Sequence, residues 1–320
     1  MPKLVGQTIP VKRILTGFHS FDRAFNLEQK PLGLPVGTGV EFYGMTHTGK
    51  TTFTWSLLSK ISALQGSKGW VLCDLEGYDP ERLNLIASTQ GMNEDQVIRT
   101  CDGTTYKKTS LDTAQDEQLL SELVDYLSSG EYSGGLLDSI AAISPLSEQE
   151  GEIGEANFGR RARIMADFSR KYLHVTRSKE APLLLATNHM YENVGGGKGF
   201  TTPGGNVKNY LFTVRVRLSQ TKANRYEDGS FVLTGYVDKN RYGGGRDENT
   251  FNVVISDGGI HEGLTAVLDS VTYGVAERTT KVKIGDKSFF WKELLENKND
   301  PEIFKPFITA LNDFSQEEMK

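Results

Sequence analysis

The stretch Gly44-Met45-Thr46-His47-Thr48-Gly49-Lys50-Thr51 has the spacing G-x-x-x-x-G-K-[ST], with the strand-like run Gly39-Val40-Glu41-Phe42-Tyr43 before it and a helix-like run after it. That context restricts the chain to folds in which a strand ends in a tight glycine loop that opens a helix. The glycines let successive backbone N–H groups turn inward on an anion, and the helix presents its positive N-terminus to the same anion. In such a loop Lys50 reaches the β- and γ-phosphates of a nucleotide and Thr51 ligates Mg²⁺. The alternative is a glycine-rich turn with a chance Lys-Thr pair, and the flanking strand and helix count against it.

A chain of 320 residues accommodates one large α/β domain with a small second one. Its apolar runs, such as Leu183-Leu184-Leu185-Ala186, are far too short to span a bilayer. The opening Met1-Pro2-Lys3-Leu4-Val5-Gly6-Gln7 lacks the apolar core of a secretory signal, so the expectation is a cytoplasmic protein without a membrane segment. A net charge of −5 excludes a general polycation, and any nucleic-acid site must be a local basic surface. Cys73 and Cys101 are the only cysteines, too few for a disulfide framework or a metal site; Cys73 lies in an apolar strand pattern and packs as a small hydrophobe.

Strand patterns recur at 70–75, 135–138, 183–187, 212–218, 231–237 and 251–255. The earlier ones alternate with helical patterns at 116–127 and 158–173, which predicts strand–helix–strand units and a mostly parallel sheet. The later ones alternate apolar with polar residues, as in Val214-Arg215-Val216-Arg217-Leu218, and read as half-exposed antiparallel additions. Before the phosphate loop, 16–25 reads as a short helix capped by Thr16, with Phe18, Phe21, Ala24 and Phe25 on one face. After Asp257-Gly258-Gly259 the pattern changes to a helix, a lysine-rich hairpin over 281–287 and two helices, the last starting where Asp300 precedes Pro301. The expected division is an N-terminal segment and entry helix over 1–35, a core over 36–262 and a small α+β C-terminal domain over 263–320. The acidic ending Gln316-Glu317-Glu318 is expected to fray.

Ligands of a parallel α/β sheet sit beyond the C-terminal ends of its strands, so polar residues there carry the most weight. Glu76, after Asp74-Leu75, can deprotonate an attacking water, or it is a surface or capping acid. Asp138, after Leu136-Leu137, resembles the Walker B acid that holds Mg²⁺. Thr187-Asn188-His189 can sense a γ-phosphate, or they are a capping Asn and a surface His. The segment Gly195-Gly196-Gly197-Lys198-Gly199-Phe200-Thr201-Thr202-Pro203-Gly204-Gly205 has six glycines in eleven residues and carries Lys198 for a phosphate and Phe200 for stacking, which suits single-stranded nucleic acid; a passive loop is the alternative. On the helix at 158–173, Phe158, Ala162, Met165, Ala166, Ser169 and Tyr172 form a buried stripe. Arg160, Arg163 and Arg170 face the other way, toward solvent or a phosphate backbone.

These residues resemble the RecA-type homologous-recombination ATPases, and most of all their phage UvsX-like branch. The resemblance rests on 150–165, similar to the family's first DNA-binding loop and the helix behind it, on Thr16-Gly17 with Phe21-Asp22, on the phosphate loop, and on Asp74-Leu75-Glu76, Asp138-Ser139 and Gly204-Gly205-Asn206. The run Asn188-His189-Met190-Tyr191-Glu192 looks like the phage branch, with a bacterial host cell as its setting. The resemblance implies a RecA-like core that binds ATP and Mg²⁺ and forms filaments with itself on single-stranded DNA. It pairs that strand with homologous duplex, alongside single-strand-binding and mediator proteins. It makes Glu76 the base, Asp138 the Walker B acid, and His189 the occupant of a position where bacterial members place a glutamine that couples the γ-phosphate to the second DNA loop, 195–205.

By the same resemblance Lys239 and Arg241 are the cations that reach the neighbouring protomer's ATP, Thr52 and Asp79 join the nucleotide set, and Phe158 and Asn206 join the DNA set. Arg241 stands where the bacterial pattern has lysine, which keeps the charge and changes the geometry. Phe21-Asp22-Arg23-Ala24 reproduces the F-x-x-A pattern by which archaeal and eukaryotic relatives join subunits, but it falls inside the entry helix. The alternative functions are a RecA-fold helicase-type motor and a regulatory recombinase paralogue.

Overall fold

The computed structural model describes residues 12–25, 33–66, 68–101, 115–144, 159–176, 181–192, 199–221, 225–242 and 249–318. It opens with β1 (Arg13–Ile14), α1 (His19–Arg23) and β2 (Leu34–Pro35), the two strands pairing as a ribbon. The predicted alternation follows: β3 (Gly39–Gly44), α2 (Lys50–Gln65), β4 (Gly69–Asp74), α3 (Pro80–Thr89), β5 (Ile98–Thr100), α4 (Gln115–Ser129), β6 (Tyr132–Asp138), α5 (Arg160–Val175) and β7 (Leu183–His189). A small antiparallel pair, β8 (Tyr191–Glu192) and β9 (Phe200–Thr201), and the short α6 (Lys208–Leu211) lead to β10 (Phe212–Ser219), β11 (Phe231–Asn240), β12 (Thr250–Ser256) and β13 (Gly259–Ile260). The C-terminal part contains α7 (Glu262–Thr272), the three-stranded sheet of β14 (Glu277–Arg278), β15 (Val282–Ile284) and β16 (Lys287–Phe289), then α8 (Trp291–Glu296) and α9 (Pro301–Glu318).

Nine strands form the central sheet in the order β13-β12-β11-β10-β3-β7-β6-β4-β5. Strands β10, β3, β7, β6, β4 and β5 are mutually parallel, and β11 to β13 add antiparallel. One expectation is corrected here: β10 is parallel to β3 and meets only β11 antiparallel. Its alternation of buried and half-buried residues reports one exposed face, and exposure carries no information about strand direction. Strands β3, β4 and β6 are buried throughout, with helices on both faces of this part of the sheet. On one face Phe21 meets Phe25, Phe53 and Phe251 at ring separations of 4.9, 5.9 and 5.0 Å. On the other, α4 and α5 bury Leu120, Leu123, Met165, Phe168 and Tyr172 against β6 and β7.

The stripe of α5 differs from the expected one. Ile164, Met165, Phe168, Ser169, Tyr172 and Val175 are buried, Ala162 and Ala166 only half so, and Phe158 lies outside the described residues. Thr16 does not cap α1, whose first position follows Phe18 without a side-chain cap. Its hydroxyl donates to Asp22 Oδ1 at 2.9 Å, and the N–H groups of Thr16 and Gly17 donate to the same carboxyl, so the pair ties a turn to the helix. The F-x-x-A residues Phe21 and Ala24 are core residues of this chain, at 0% and 3% exposure, and cannot be offered to a neighbour.

A polar junction joins α1 to the C-terminal helices. His19 Nδ1 lies 2.8 Å from Ser315 Oγ, and Ser20 N donates to Asp269 Oδ2 at 3.1 Å. The Arg23 guanidinium lies 4.3 Å from the ring centre of Tyr273 and 5.0 Å from that of Phe314, and pairs with Glu318. The acidic ending is therefore helical to Glu318 and anchored on a buried arginine, not frayed. As expected, Asp300 caps α9, its Oδ1 accepting from Glu302 N at 3.0 Å.

Burial pushes the carboxyl groups of Asp269 and Asp22 up to about 7. A carboxyl raised in the folded state stabilises fully below its unfolded value of about 4 and loses that contribution as pH rises through its folded value. The melting temperature of Asp269→Asn minus that of the wild type should therefore increase between about pH 4 and pH 8, as measured by thermal melts at matched ionic strength.

Candidate nucleotide site and nucleic-acid face

Strand β3 ends at Gly44, and α2 begins at Lys50 with Gly49 as its N-cap in the left-handed region (φ 87°). A Cβ on Gly49 would also approach the Phe231 ring to 2.9 Å, so glycine is required there on two counts. His47 takes φ 62° at the tip, and the Thr48 hydroxyl donates to Met45 O at 3.0 Å, closing the loop on itself. No side chain caps α2, which leaves its first N–H groups for an anion. Lys50 is buried, its Nζ donating to Met45 O at 2.9 Å and Gly44 O at 3.3 Å. Burial lowers its pKa, against the opposing pull of Glu76 and Asp138.

The carboxylates come from the neighbouring strand ends. Asp74 and Asp138 are register partners on β4 and β6. Asp138 is buried and its pKa is raised by that burial, while hydroxyl donors from Thr187 on β7 and Thr51 on α2 oppose the shift. Thr51 and Asp138 thus bring together one hydroxyl and one carboxylate, a donor pair that would suit a phosphate-bound Mg²⁺. Among the described residues no cluster of three or more metal-ligating side chains exists, and Mg²⁺ held chiefly by phosphates and water needs none. Glu76 accepts from the Ser139 hydroxyl, and His189 Nε2 lies 3.1 Å from the same Glu76 Oε1. Asp74 holds the turn beneath them, accepting from Gly77 N at 2.6 Å, and burial raises its carboxyl to about 6.

Asp79 caps α3, accepting from Glu81 N at 3.0 Å, while Arg82 one turn on donates to the Thr52 hydroxyl at 2.8 Å and holds α3 against α2. Lys239 and Arg241 lie elsewhere. The ladders place Lys239 beside Arg215 and Arg215 beside Glu41, three residues before Gly44, roughly 10 Å back along the strand from the phosphate loop. Lys239 Nζ donates to Phe212 O at 2.9 Å and to Asn209 O, and Arg241 is exposed.

The nucleic-acid residues fall in two groups. Lys198 and Phe158 lie outside the described residues, and of Arg160 only the backbone, at the start of α5, is described. Arg163 and Arg170 are exposed along a groove between α4 and α5, where Arg170 pairs with Asp167. Phe200, 57% exposed on β9, and Asn206 line a separate cavity of about 480 Å³ with Lys208, Arg215 and Arg217. The two groups meet at Gly205 (φ 67°), whose Cβ would come within 2.9 Å of the Ala162 Cβ, so the root of the second glycine loop packs on the first turn of α5.

Several participants were not singled out from sequence: Thr187 as the donor to Asp138, Ser139 as the donor to Glu76, and the buried Glu41. Only Glu41 carried a signal, a carboxylate at the middle of an otherwise apolar strand.

A glycine loop that joins a central parallel strand to a buried helix, with acids on the next strand ends, defines a P-loop fold with a RecA-like core. Residues 3–258 match the family of the RecA N-terminal domain, and the chain belongs to that family. It is similar to the RecA proteins of Levilactobacillus brevis (31% identity over 203 residues, 63% of this chain and 49% of the relative) and Thioalkalivibrio sulfidiphilus (31% over 220 residues, 68% and 58%). It is also similar to that of a Nitratiruptor species (27% over 291 residues, 89% and 75%). The match thus spans about half the length of the first two relatives.

Replacing Thr187 with the isosteric Val strips a hydroxyl donor from the buried Asp138. The expected cost is about 1–3 kcal/mol of stability, measured by denaturant unfolding of the nucleotide-free protein.

Proposed function

We propose that this chain is a DNA-dependent ATPase that assembles on single-stranded DNA, with Mg-ATP between protomers, and catalyses homologous pairing and strand exchange in recombination and repair. The observation that carries the reading is the 3.1 Å contact between His189 and Glu76. It joins the strand that feeds the second glycine loop to the carboxylate facing Lys50. Family membership supports the same reading.

Bound Mg-ATP supplies the phosphoryl group that is transferred to water. The Glu76 carboxylate takes a proton from the attacking water. Lys50 and the loop N–H groups would bind the phosphates, Thr51 and Asp138 would hold the metal, and Thr52 and Asp79 would belong to the nucleotide pocket. Lys239 and Arg241 stabilise developing charge in the adjacent protomer, so turnover depends on assembly. Phe200, Asn206, Lys198, Phe158, Arg160, Arg163 and Arg170 form the DNA face. His189 reports the phosphate state to the loop, as a donor or acceptor in place of a glutamine.

The division at 1–35, 36–262 and 263–320, the phage UvsX-like branch, a cytoplasmic setting, and single-strand-binding and mediator partners belong to the same proposal. Among the described residues no helix is long and apolar enough to cross a membrane.

Strand exchange measured with ATP and with a non-hydrolysable analogue tests the function, and a protein that binds both ligands without exchanging strands removes it. Glu76→Gln should retain nucleotide binding and lose about 10²–10⁴-fold in turnover. Lys239→Ala should bind nucleotide and DNA but lose about 10³-fold in DNA-stimulated turnover; an undiminished rate in a steady-state ATPase assay removes the role between protomers.

A further inference from the structure

Glu41 lies at the centre of β3 with no exposed surface, and it belongs to neither the phosphate loop nor the acids beside it. Its Oε1 accepts from Asn188 Nδ2 at 2.7 Å, and its Oε2 is paired with Arg215 Nε. Each partner reaches onward. Asn188 Nδ2 also donates to Pro203 O at 3.0 Å, and Asn188 Oδ1 accepts from the backbone N–H of His189 at 3.0 Å. Arg215 donates to the Thr202 hydroxyl at 3.2 Å and to Asn209 Oδ1 at 3.3 Å, and the Asn209 carbonyl accepts from Lys239 Nζ. A chain of hydrogen bonds, joined through the covalent frames of His189 and Asn209, therefore runs from Glu76, through Asn188 and Glu41, to the root of the second glycine loop at Thr202 and Pro203, and on to Lys239.

Strand registry does not need these contacts. Backbone ladders already hold β3 against β7 and β10, with Glu41 opposite Ala186 and Arg215. A buried ion pair is also a weak net source of stability, because desolvation offsets its attraction. The pair has discrete geometry at the one place where three elements with separate tasks converge.

We propose that Glu41 is a positioning residue that couples the nucleotide side of the protomer to the root of its second glycine loop and to the cation it offers the next protomer. The proposal rests on the function given above. A shift of His189 relative to Glu76 moves Asn188. Because Asn188 and Arg215 share one carboxylate, Thr202, Pro203 and Asn209 follow as a unit.

The test uses the full chain carrying Glu41→Gln, which keeps the volume and removes the charge that holds Arg215. Single-strand affinity is measured by fluorescence anisotropy with and without a non-hydrolysable ATP analogue, and analogue binding is measured separately. The expected result is analogue affinity within about twofold of wild type, with the analogue-induced gain in DNA affinity reduced about tenfold or more. A merely structural role would lower the melting temperature and leave that gain intact, which overturns the proposal. If Glu41→Gln does not fold, Glu41→Gln with Arg215→Gln removes both charges of the pair together, and the same loss of gain is expected; a folded double variant with the full gain overturns the proposal equally. A wild-type protein whose DNA affinity ignores the analogue overturns the recombinase reading itself, and the coupling with it.

Discussion

The parallel hydrogen bonding of β3 on both of its edges is the constraint from which the rest of the site follows. With β7 on one side and β10 on the other, all running the same way, the phosphate loop, Glu76, Asp138 and His189 are delivered at or just beyond one end of the sheet. Parallel strands require a crossover each time, and those crossovers supply the helices that bury the sheet. Helix α2 is buried on nearly every side, and five of its Ser and Thr residues are buried with it. Thr54 and Ser56 satisfy their hydroxyl groups on carbonyls of the preceding turn, at 3.0 and 2.7 Å, and Ser62 meets Ser133, while Ser59 Oγ is left without a partner among the described residues. Enclosure in turn fixes the direction in which its uncapped N-terminus points.

What the sequence made legible was whatever depends on local spacing. The phosphate loop, the strand–helix alternation, the capping Asp300 and the lysine-rich hairpin of β15 and β16 each follow from residues close together in the chain. Features set by distant partners were not legible. The direction of β10 depends on what precedes it in space, and alternation cannot encode it. Thr16 has the chemistry of a helix cap, but Asp22 offers its hydroxyl and N–H groups a carboxylate, and that interaction wins. The end of α9 looks like a loose acidic tail until Arg23, 295 positions earlier, closes on it.

The candidate site shows the same division. Lys50, Thr51, Glu76 and Asp138 were legible because each lies at or just beyond a strand end or in the first turn of a helix. The partners of Thr187 and Ser139 were not, because hydroxyl groups are common at strand ends and only the register reveals which acid they serve. Glu41 was the most informative omission. A carboxylate with no solvent exposure must have partners, and those partners lie 147 and 174 positions away.

The proposed function places Lys239 and Arg241 toward another copy of the chain, and their position along the strands fits that proposal. Lys239 lies level with Glu41, three residues before the phosphate loop begins, and Arg241 is exposed further back. Side chains set that far along the strand serve their own loop poorly, while an exposed guanidinium beside a lysine is well placed for phosphates presented by another molecule. The polar path that ends on Lys239 begins on the protomer's own Glu76 and His189 and is buried at its centre, at Asn188 and Glu41. In a row of such protomers, each nucleotide would meet its own acid directly and a cation whose seat is set by the nucleotide of the next protomer along. Under the proposed function, phosphate state would pass along the filament through Glu41 and Asn188, the two fully buried members of each path, where solvent cannot substitute for a missing partner.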